Sequence, residues 1–141
     1  MNGNNEKKEE YLTQCGKFFQ IAREECLIPG KDMLTQNQSK PVEIYWAASG
    51  IIENTSKAYH VYKKKKVSKE EELDQQWRRV IEYLNNESLI NSFNYVLNSE
   101  NSAKNKTIKQ DEIENCFRKA ESFFNGILKS IPTSDRIKIG L

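Results

Sequence analysis

Apolar residues recur every three or four positions along most of the chain, which is the spacing of one face of an α-helix. Alternating runs of β-branched residues between turn signals, which would predict strands, are absent from the sequence. The pattern predicts an all-α fold, an up-and-down bundle of about five helices. We expect a single helical-bundle domain over residues 1–132 and a C-terminal tail over residues 133–141.

The first two predicted helices are separated by a polar stretch. The first covers about residues 6–25 and ends at the helix-breaking pair Pro29-Gly30, after which residues 31–40 form a loop. The second runs from Pro41 to about Lys66, because proline suits a first helical turn. The small residues from Ala47 to Gly50 would let another helix approach closely. Its predicted core face comprises Tyr45, Ala48, Ser49, Ile52 and Tyr59, with Trp46 beside it.

Three further helices follow from the same periodicity. Ser68 to Glu71 matches a capping box, which predicts the start of a third helix that ends at Asn85-Asn86. A shorter fourth helix begins near Leu89, and the polar link over residues 99–106 is predicted to be a mobile loop. A second capping-box match, Thr107 to Gln110, opens the fifth helix, which ends at Pro132.

Charge and cysteine usage restrict the class of protein. Lys and Arg number 22 against 20 Asp and Glu, a net charge of +2, so any nucleic-acid surface would have to be local. Three widely spaced cysteines predict reduced thiols in a cytoplasmic protein rather than disulfides or a zinc site. A hydrophilic start and the lack of any long apolar run predict neither a signal peptide nor a membrane span, and we expect no membrane partner.

His60, the only histidine, is the one side chain whose ordinary pKa would allow proton transfer near neutrality. It would need a nucleophile such as Ser56, Ser49 or a cysteine, together with an orienting group and an oxyanion hole. Neither of the last two has a recognisable signature. Clustered carboxylates fall in predicted first helical turns, where they complement the helix dipole. We therefore predict no catalytic residue, no metal site and no cofactor.

A run of lysines closes the second predicted helix. Four adjacent cations from Lys63 to Lys66 suit a helix C-terminus, and solvation of that end is the simpler interpretation. Together with Arg78 and Arg79, the run could instead contact phosphates, with Tyr59 and Tyr62 adding base stacking. The candidate anion or nucleic-acid site comprises Lys63, Lys64, Lys65, Lys66, Arg78 and Arg79.

The segment Glu-Ile-Tyr-Trp-Ala-Ala from Glu43 to Ala48 follows a helix and a loop and continues in helix to Ala58. With Leu73 and Trp77 in the third helix and a long last helix, this order resembles the archaeal PaREP family of small helical proteins. That family is similar in turn to the HEPN superfamily. The resemblance extends over residues 8–131, and Tyr45 to Ala48 is its motif-like part. It implies an up-and-down bundle, often dimeric, in a superfamily that includes ribonucleases and partners of nucleotidyltransferases.

Active ribonucleases of that superfamily carry an arginine, four to six residues, and then a histidine. Here no arginine lies between Arg23 and His60, so the motif is absent and no catalytic residue can be transferred. We therefore predict a non-enzymatic interaction or assembly protein that forms a homodimer or binds a protein partner. The alternative is a nucleotide- or nucleic-acid-binding effector of degenerate ribonuclease ancestry that uses the basic residues.

Overall fold

The computed structural model describes residues 2–36 and 40–141, with side chains from residue 10 onwards. In this part of the chain every regular element is helical, which confirms the all-α prediction. A π-helical segment (Ile21–Leu27) joins the first two helices, and a 3-10 segment (Trp77–Glu82) continues the fourth. The α-helices are α1 (Asn2–Gln20), α2 (Ile28–Thr35), α3 (Pro41–Lys64), α4 (Glu70–Gln76), α5 (Glu87–Asn98), α6 (Glu100–Lys104), α7 (Gln110–Ser130) and α8 (Thr133–Ile139).

The long helices alternate in direction around α3. Tyr11 of α1 lies beside Tyr62, and Cys15 donates to the carbonyl of Ala58, so α1 and α3 run antiparallel. Likewise α5 and α7 are antiparallel, since Phe93 packs on Phe123 and Leu89 lies against Gly126. The buried apolar side chains form one cluster to which every helix except α2 contributes a buried apolar residue. Most of the apolar residues that recur at helical spacing along α5 and α7 are buried in this cluster.

Pro29-Gly30 does not end the first helix, and this prediction was wrong. The π-helical segment precedes the proline, and the N–H of Ile28 bonds to the carbonyl of Arg23, five residues earlier. This wider turn shifts the carbonyls away from the α-helical positions that a proline ring would crowd. Gly30 is a packing residue, because a Cβ there would lie 2.2 Å from the Phe117 ring and 3.1 Å from Ala47 Cβ. Residues 31–35, predicted as loop, are helical; residues 37–39 lie outside the described residues.

Neither predicted capping box forms. The Ser68 hydroxyl is buried without a hydrogen-bond partner among the described residues. The Gln14 side chain binds the Ser68 backbone instead, accepting from its N–H at 2.9 Å and donating to its carbonyl at 2.7 Å. The Thr107 hydroxyl donates to the carbonyl of Ser102. A tertiary contact thus holds Ser68, and a local contact within the preceding turn holds Thr107. The helices that follow start at Glu70 and Gln110.

Two segments predicted without regular structure are helical. The link predicted as a mobile loop contains α6, whose Ala103 is fully buried. The segment predicted as a C-terminal tail forms α8, which packs on α1 with Ile139 against Gly16. If segments that join directly or through the single residue Ser99 are counted as one, the described chain has six helices rather than about five. Within the described chain, no helix combines the length and the apolar character that crossing a bilayer requires.

Candidate functional site

His60 is buried on α3 and faces the end of the 3-10 segment. Its Nδ1 lies 2.8 Å from the hydroxyl of Tyr83, and its Nε2 is buried without a partner among the described residues. Burial lowers the pKa of His60, the Lys64 ammonium lowers it further, and Glu72 opposes both. The ring is therefore held neutral, as a buried packing residue with one hydrogen bond.

The candidate nucleophiles do not pair with His60. Ser56 is fully buried, and its hydroxyl has no hydrogen-bond partner in the described part of the chain. Burial raises the pKa of Tyr45 and the nearby Ser49 opposes this, while the Cys15 thiol donates to the carbonyl of Ala58 at 3.2 Å. Burial raises the pKa of Cys15 to about 12, and it is the main cause that raises the pKa of Cys26 to about 11. These thiols stay protonated near neutrality and are poor nucleophiles.

The lysine run forms an exposed turn at the end of α3. We call residues 63–67 the basic turn; it comprises Lys63, Lys64, Lys65, Lys66 and Val67, and every side chain in it is exposed. Lys63 lies over the Tyr59 ring at 5.8 Å, and Lys64 pairs with Glu72 at 3.4 Å. Lys65 closes the helix in the left-handed conformation, with φ of 56°.

Arg78 does not join the basic turn in a cluster. The Arg78 guanidinium lies 5.1 Å from the centre of the Trp77 ring. The pKa of Glu100 is lowered mainly by its bond to Lys104, and Arg78 lowers it as well. Burial raises the pKa of Tyr45, and Arg78 is among the groups that lower it. Tyr45 precedes the lysines by eighteen residues, about 27 Å of helix. Arg78 therefore lies towards the beginning of α3 and the basic turn at its end, while Arg79 pairs with Glu82.

The two tyrosines expected to stack on bases, Tyr59 and Tyr62, already make contacts within the protein. Tyr59 is only 8% exposed, and its ring lies between those of Tyr62 and Tyr83, at 6.4 and 6.2 Å. The Tyr62 hydroxyl donates to Asp135 of α8 at 2.7 Å. Base stacking is thus not available beside the basic turn.

Lys57 is a buried charged residue that the sequence analysis missed. Its ammonium donates to Glu53 at 3.0 Å and to Asp74 at 2.7 Å, and it lies 5.9 Å from the Phe18 ring centre. Burial lowers the pKa of Lys57, but the two carboxylates outweigh burial and the pKa is raised. The spacing of Glu53 and Lys57 by four residues is a helical ion-pair signal and could have indicated this site. The triad fastens α4 onto α3.

Three surface grooves were found, and one of them adjoins the Lys57 triad. One of about 400 Å³ separates α2 from α7 and is lined by Leu34, Phe117 and Arg118 among others. Another, of about 230 Å³, opens above Lys57, and a third, of about 480 Å³, lies beside Pro41 and Lys106. His60, the cysteines and the basic turn line none of these three. No group of three or more potential metal-ligating side chains occurs among the described residues.

Trp46 is the largest apolar side chain left in solvent. It was predicted to lie beside the core, but it is 53% exposed, with Lys104 over its ring at 5.8 Å. The other exposed large apolar residues are Ile28, Val67 and Ile137.

Comparisons of the chain with protein-family models, with curated proteins and with solved structures each found no match.

Proposed function

We propose that the protein is a non-enzymatic interaction or assembly protein of HEPN-like architecture, which forms a homodimer or binds a protein partner through a helical face. The observation that carries the proposal is the exposure of Trp46 on α3, the central helix of the bundle. Tryptophan is enriched among the residues that dominate binding energy in protein interfaces.

The surroundings of Trp46 suit a contact surface. Half of the side chain is exposed, and Lys104 and Glu100 form an ion pair beside it at 2.9 Å. An apolar centre with a charged rim is the usual arrangement of an interface. The His60 ring, the Ser56 hydroxyl and the Cys15 thiol, in contrast, are buried, which supports a non-catalytic role.

Sedimentation equilibrium over a wide protein concentration range tests the proposal. We expect the wild-type mass to rise from one to two chains as concentration increases, or a complex to form with a purified partner. Trp46→Ser should weaken association at least tenfold, because it removes the centre of the surface.

Ile137→Ser is the matched control, since Ile137 is an exposed apolar residue on a different helix, 70% exposed. It should associate like the wild type. A wild-type protein that stays monomeric at every concentration contradicts the homodimer, and equal association of both variants, with itself or with a partner, contradicts the role of Trp46.

The second candidate, a nucleotide- or nucleic-acid-binding effector, is favoured by one observation. Lys65 and Lys66 are exposed and pair with no carboxylate among the described side chains. Because Arg78 lies apart from the basic turn and Arg79 pairs with Glu82, any phosphate contact would rest on the lysines.

Binding of labelled RNA and DNA over a range of salt concentrations separates the two candidates. Contacts with phosphates release counterions, so affinity should fall steeply as salt rises, whereas apolar helix association should not. If neither nucleic acid binds even at low salt, the second candidate is rejected.

A further inference from the structure

The basic turn is held rigidly at both ends. At its start the N–H of Lys65 bonds to the carbonyl of Val61 at 3.0 Å, closing α3. Immediately after it, the Gln14 side chain makes two hydrogen bonds with the Ser68 backbone and so fixes the chain to α1. The lysines are therefore presented from a fixed backbone, which lowers the entropy lost when they meet a partner.

The four lysines of the basic turn outnumber the carboxylates that pair with them among the described side chains. Only Lys64 has a carboxylate partner among the described side chains, and that pair with Glu72 is half exposed. Lys65, Lys66 and the nearby Lys69 project into solvent. The glutamates that open α4 reduce the local charge without pairing with these three lysines. The turn thus favours a surface of opposite charge.

The chemistry of the exposed groups favours lipid over nucleic acid. Single-stranded nucleic acid gains affinity from aromatic stacking, and Tyr59 and Tyr62 are both occupied. Val67, in contrast, is an aliphatic side chain left 49% exposed directly after four lysines. The Val67 side chain would add no binding energy against a phosphate backbone. At a bilayer, lysines neutralise anionic headgroups while an adjacent aliphatic side chain enters the boundary with the acyl chains.

We propose that the basic turn docks the protein on an anionic bilayer surface, with Lys63, Lys65 and Lys66 against the headgroups and Val67 at the acyl boundary. Such docking is reversible and requires no spanning helix. The expectation of no membrane partner was drawn from the lack of a signal peptide and of a spanning segment, neither of which this docking requires. The surface is distinct from that around Trp46, so the two proposals can fail separately.

Co-sedimentation of the full chain with phosphatidylcholine vesicles, with and without phosphatidylserine, tests this inference. We expect binding only when phosphatidylserine is present, and weaker binding at higher salt. Each lysine of the turn changed to glutamine should lower the partition coefficient about fivefold, the equivalent of about 1 kcal/mol. Val67→Ser should lower it severalfold with the charge unchanged.

Two controls isolate the turn. Replacing the exposed lysines Lys106, Lys109 and Lys129 by glutamine removes as much charge as replacing Lys63, Lys65 and Lys66, and it should leave more binding than that triple change in the turn. Ile137→Ser removes an exposed aliphatic side chain on α8 and should bind as the wild type does. Thermal unfolding of each variant shows that a loss of binding does not arise from unfolding.

Three results would overturn the inference. One is the absence of vesicle binding at low salt, and another is binding that ignores phosphatidylserine. The third is tight binding of duplex RNA or DNA that Val67→Ser leaves unchanged, without vesicle binding, which would assign the turn to nucleic acid. Self-association through Trp46 would be unaffected by any of them.

Discussion

At the scale of single residues, Lys65 occupies a backbone conformation that its side chain disfavours. Its φ of 56° lies in the left-handed region, where glycine is the usual residue at the end of a helix. A lysine in this conformation lowers the stability of the fold, and Lys65 also belongs to the exposed basic turn. This position therefore carries charge at some cost to folding.

Lys65→Gly should raise the free energy of unfolding by about 1 kcal/mol, because it removes the steric penalty of a Cβ in the left-handed region. Urea denaturation followed by circular dichroism measures the change. Lys64→Gly makes the same charge change one residue earlier, within α3, and should lower stability by about 1 kcal/mol. A loss of stability in both variants would show that the conformation of Lys65 is not strained.

Acid should destabilise the protein through His60. Its pKa is lowered in the folded state below the ordinary value of 6.5, so the unfolded chain binds the proton more readily. The stability that the neutral ring confers is complete above pH 6.5 and is lost as the pH falls from 6.5 through the lowered pKa. Between pH 6.5 and about 5 most carboxylates stay ionised, so the only histidine should dominate this window.

Melting temperatures measured between pH 7.5 and about 5 test this assignment. The wild type should lose stability below pH 6.5, whereas His60→Gln, a neutral side chain of similar size, should show a flatter profile. The slopes are compared, not the absolute melting temperatures, because the substitution itself alters packing. Parallel profiles would rule out His60 as the titrating group.

At the scale of helices, close contacts at glycines position α2 and α8. Gly30 brings α2 onto the Phe117 ring, and Gly16 brings α1 onto the backbone of α8. A Cβ at Gly16 would lie 2.8 Å from the carbonyl oxygen of Ile139. A backbone atom cannot rotate away as a side chain can, so α8 itself would have to move.

Gly16→Ala should therefore loosen α8. Alanine favours helix by about 1 kcal/mol over glycine, but overpacking against Ile139 should outweigh this gain and lower stability by about 1–3 kcal/mol. Faster amide exchange over residues 133–139 is the specific readout. Gly126→Ala is the control, since its Cβ would meet Leu89 Cδ2, the end of a flexible side chain, and its α8 should exchange as in the wild type. Unchanged protection of α8 in Gly16→Ala would contradict the packing argument.

At the scale of the whole molecule, the two tryptophans report separately on the core and the surface. Trp77 is 5% exposed and packs on Phe93, whereas Trp46 is 53% exposed. Each tryptophan is isolated by replacing the other with phenylalanine, which conserves much of the aromatic volume.

Fluorescence quenching by acrylamide should follow this division. The Trp77→Phe variant, which retains Trp46, should be strongly quenched in dilute solution and progressively protected as concentration rises, if a second copy covers Trp46. The Trp46→Phe variant should be weakly quenched at every concentration. If the quenching of Trp46 does not change with protein concentration, the dimer contact does not cover Trp46.

Much of the fold could be predicted from sequence because it depends on local periodicity. The buried faces of α5 and α7 follow from apolar residues every three or four positions, and the predicted starts at Pro41 and near Leu89 lie at or close to the observed starts of α3 and α5, Pro41 and Glu87. The candidate site was less predictable. That Lys63 to Lys66 are exposed at a helix end follows from their order in the chain, but their separation from Arg78 depends on how the 3-10 segment lies against α3.

The sequence by itself determined the helical class, the main core faces and the lysine run, since each is a property of neighbouring residues. Only the tertiary structure decided that the helix passes through Pro29-Gly30, that Gln14 rather than a capping box holds Ser68, that α8 packs on Gly16 and that His60 is buried against Tyr83. The physical reason is the same in each case. These outcomes depend on groups far apart in the chain, whose contacts override a local signal worth about 1 kcal/mol.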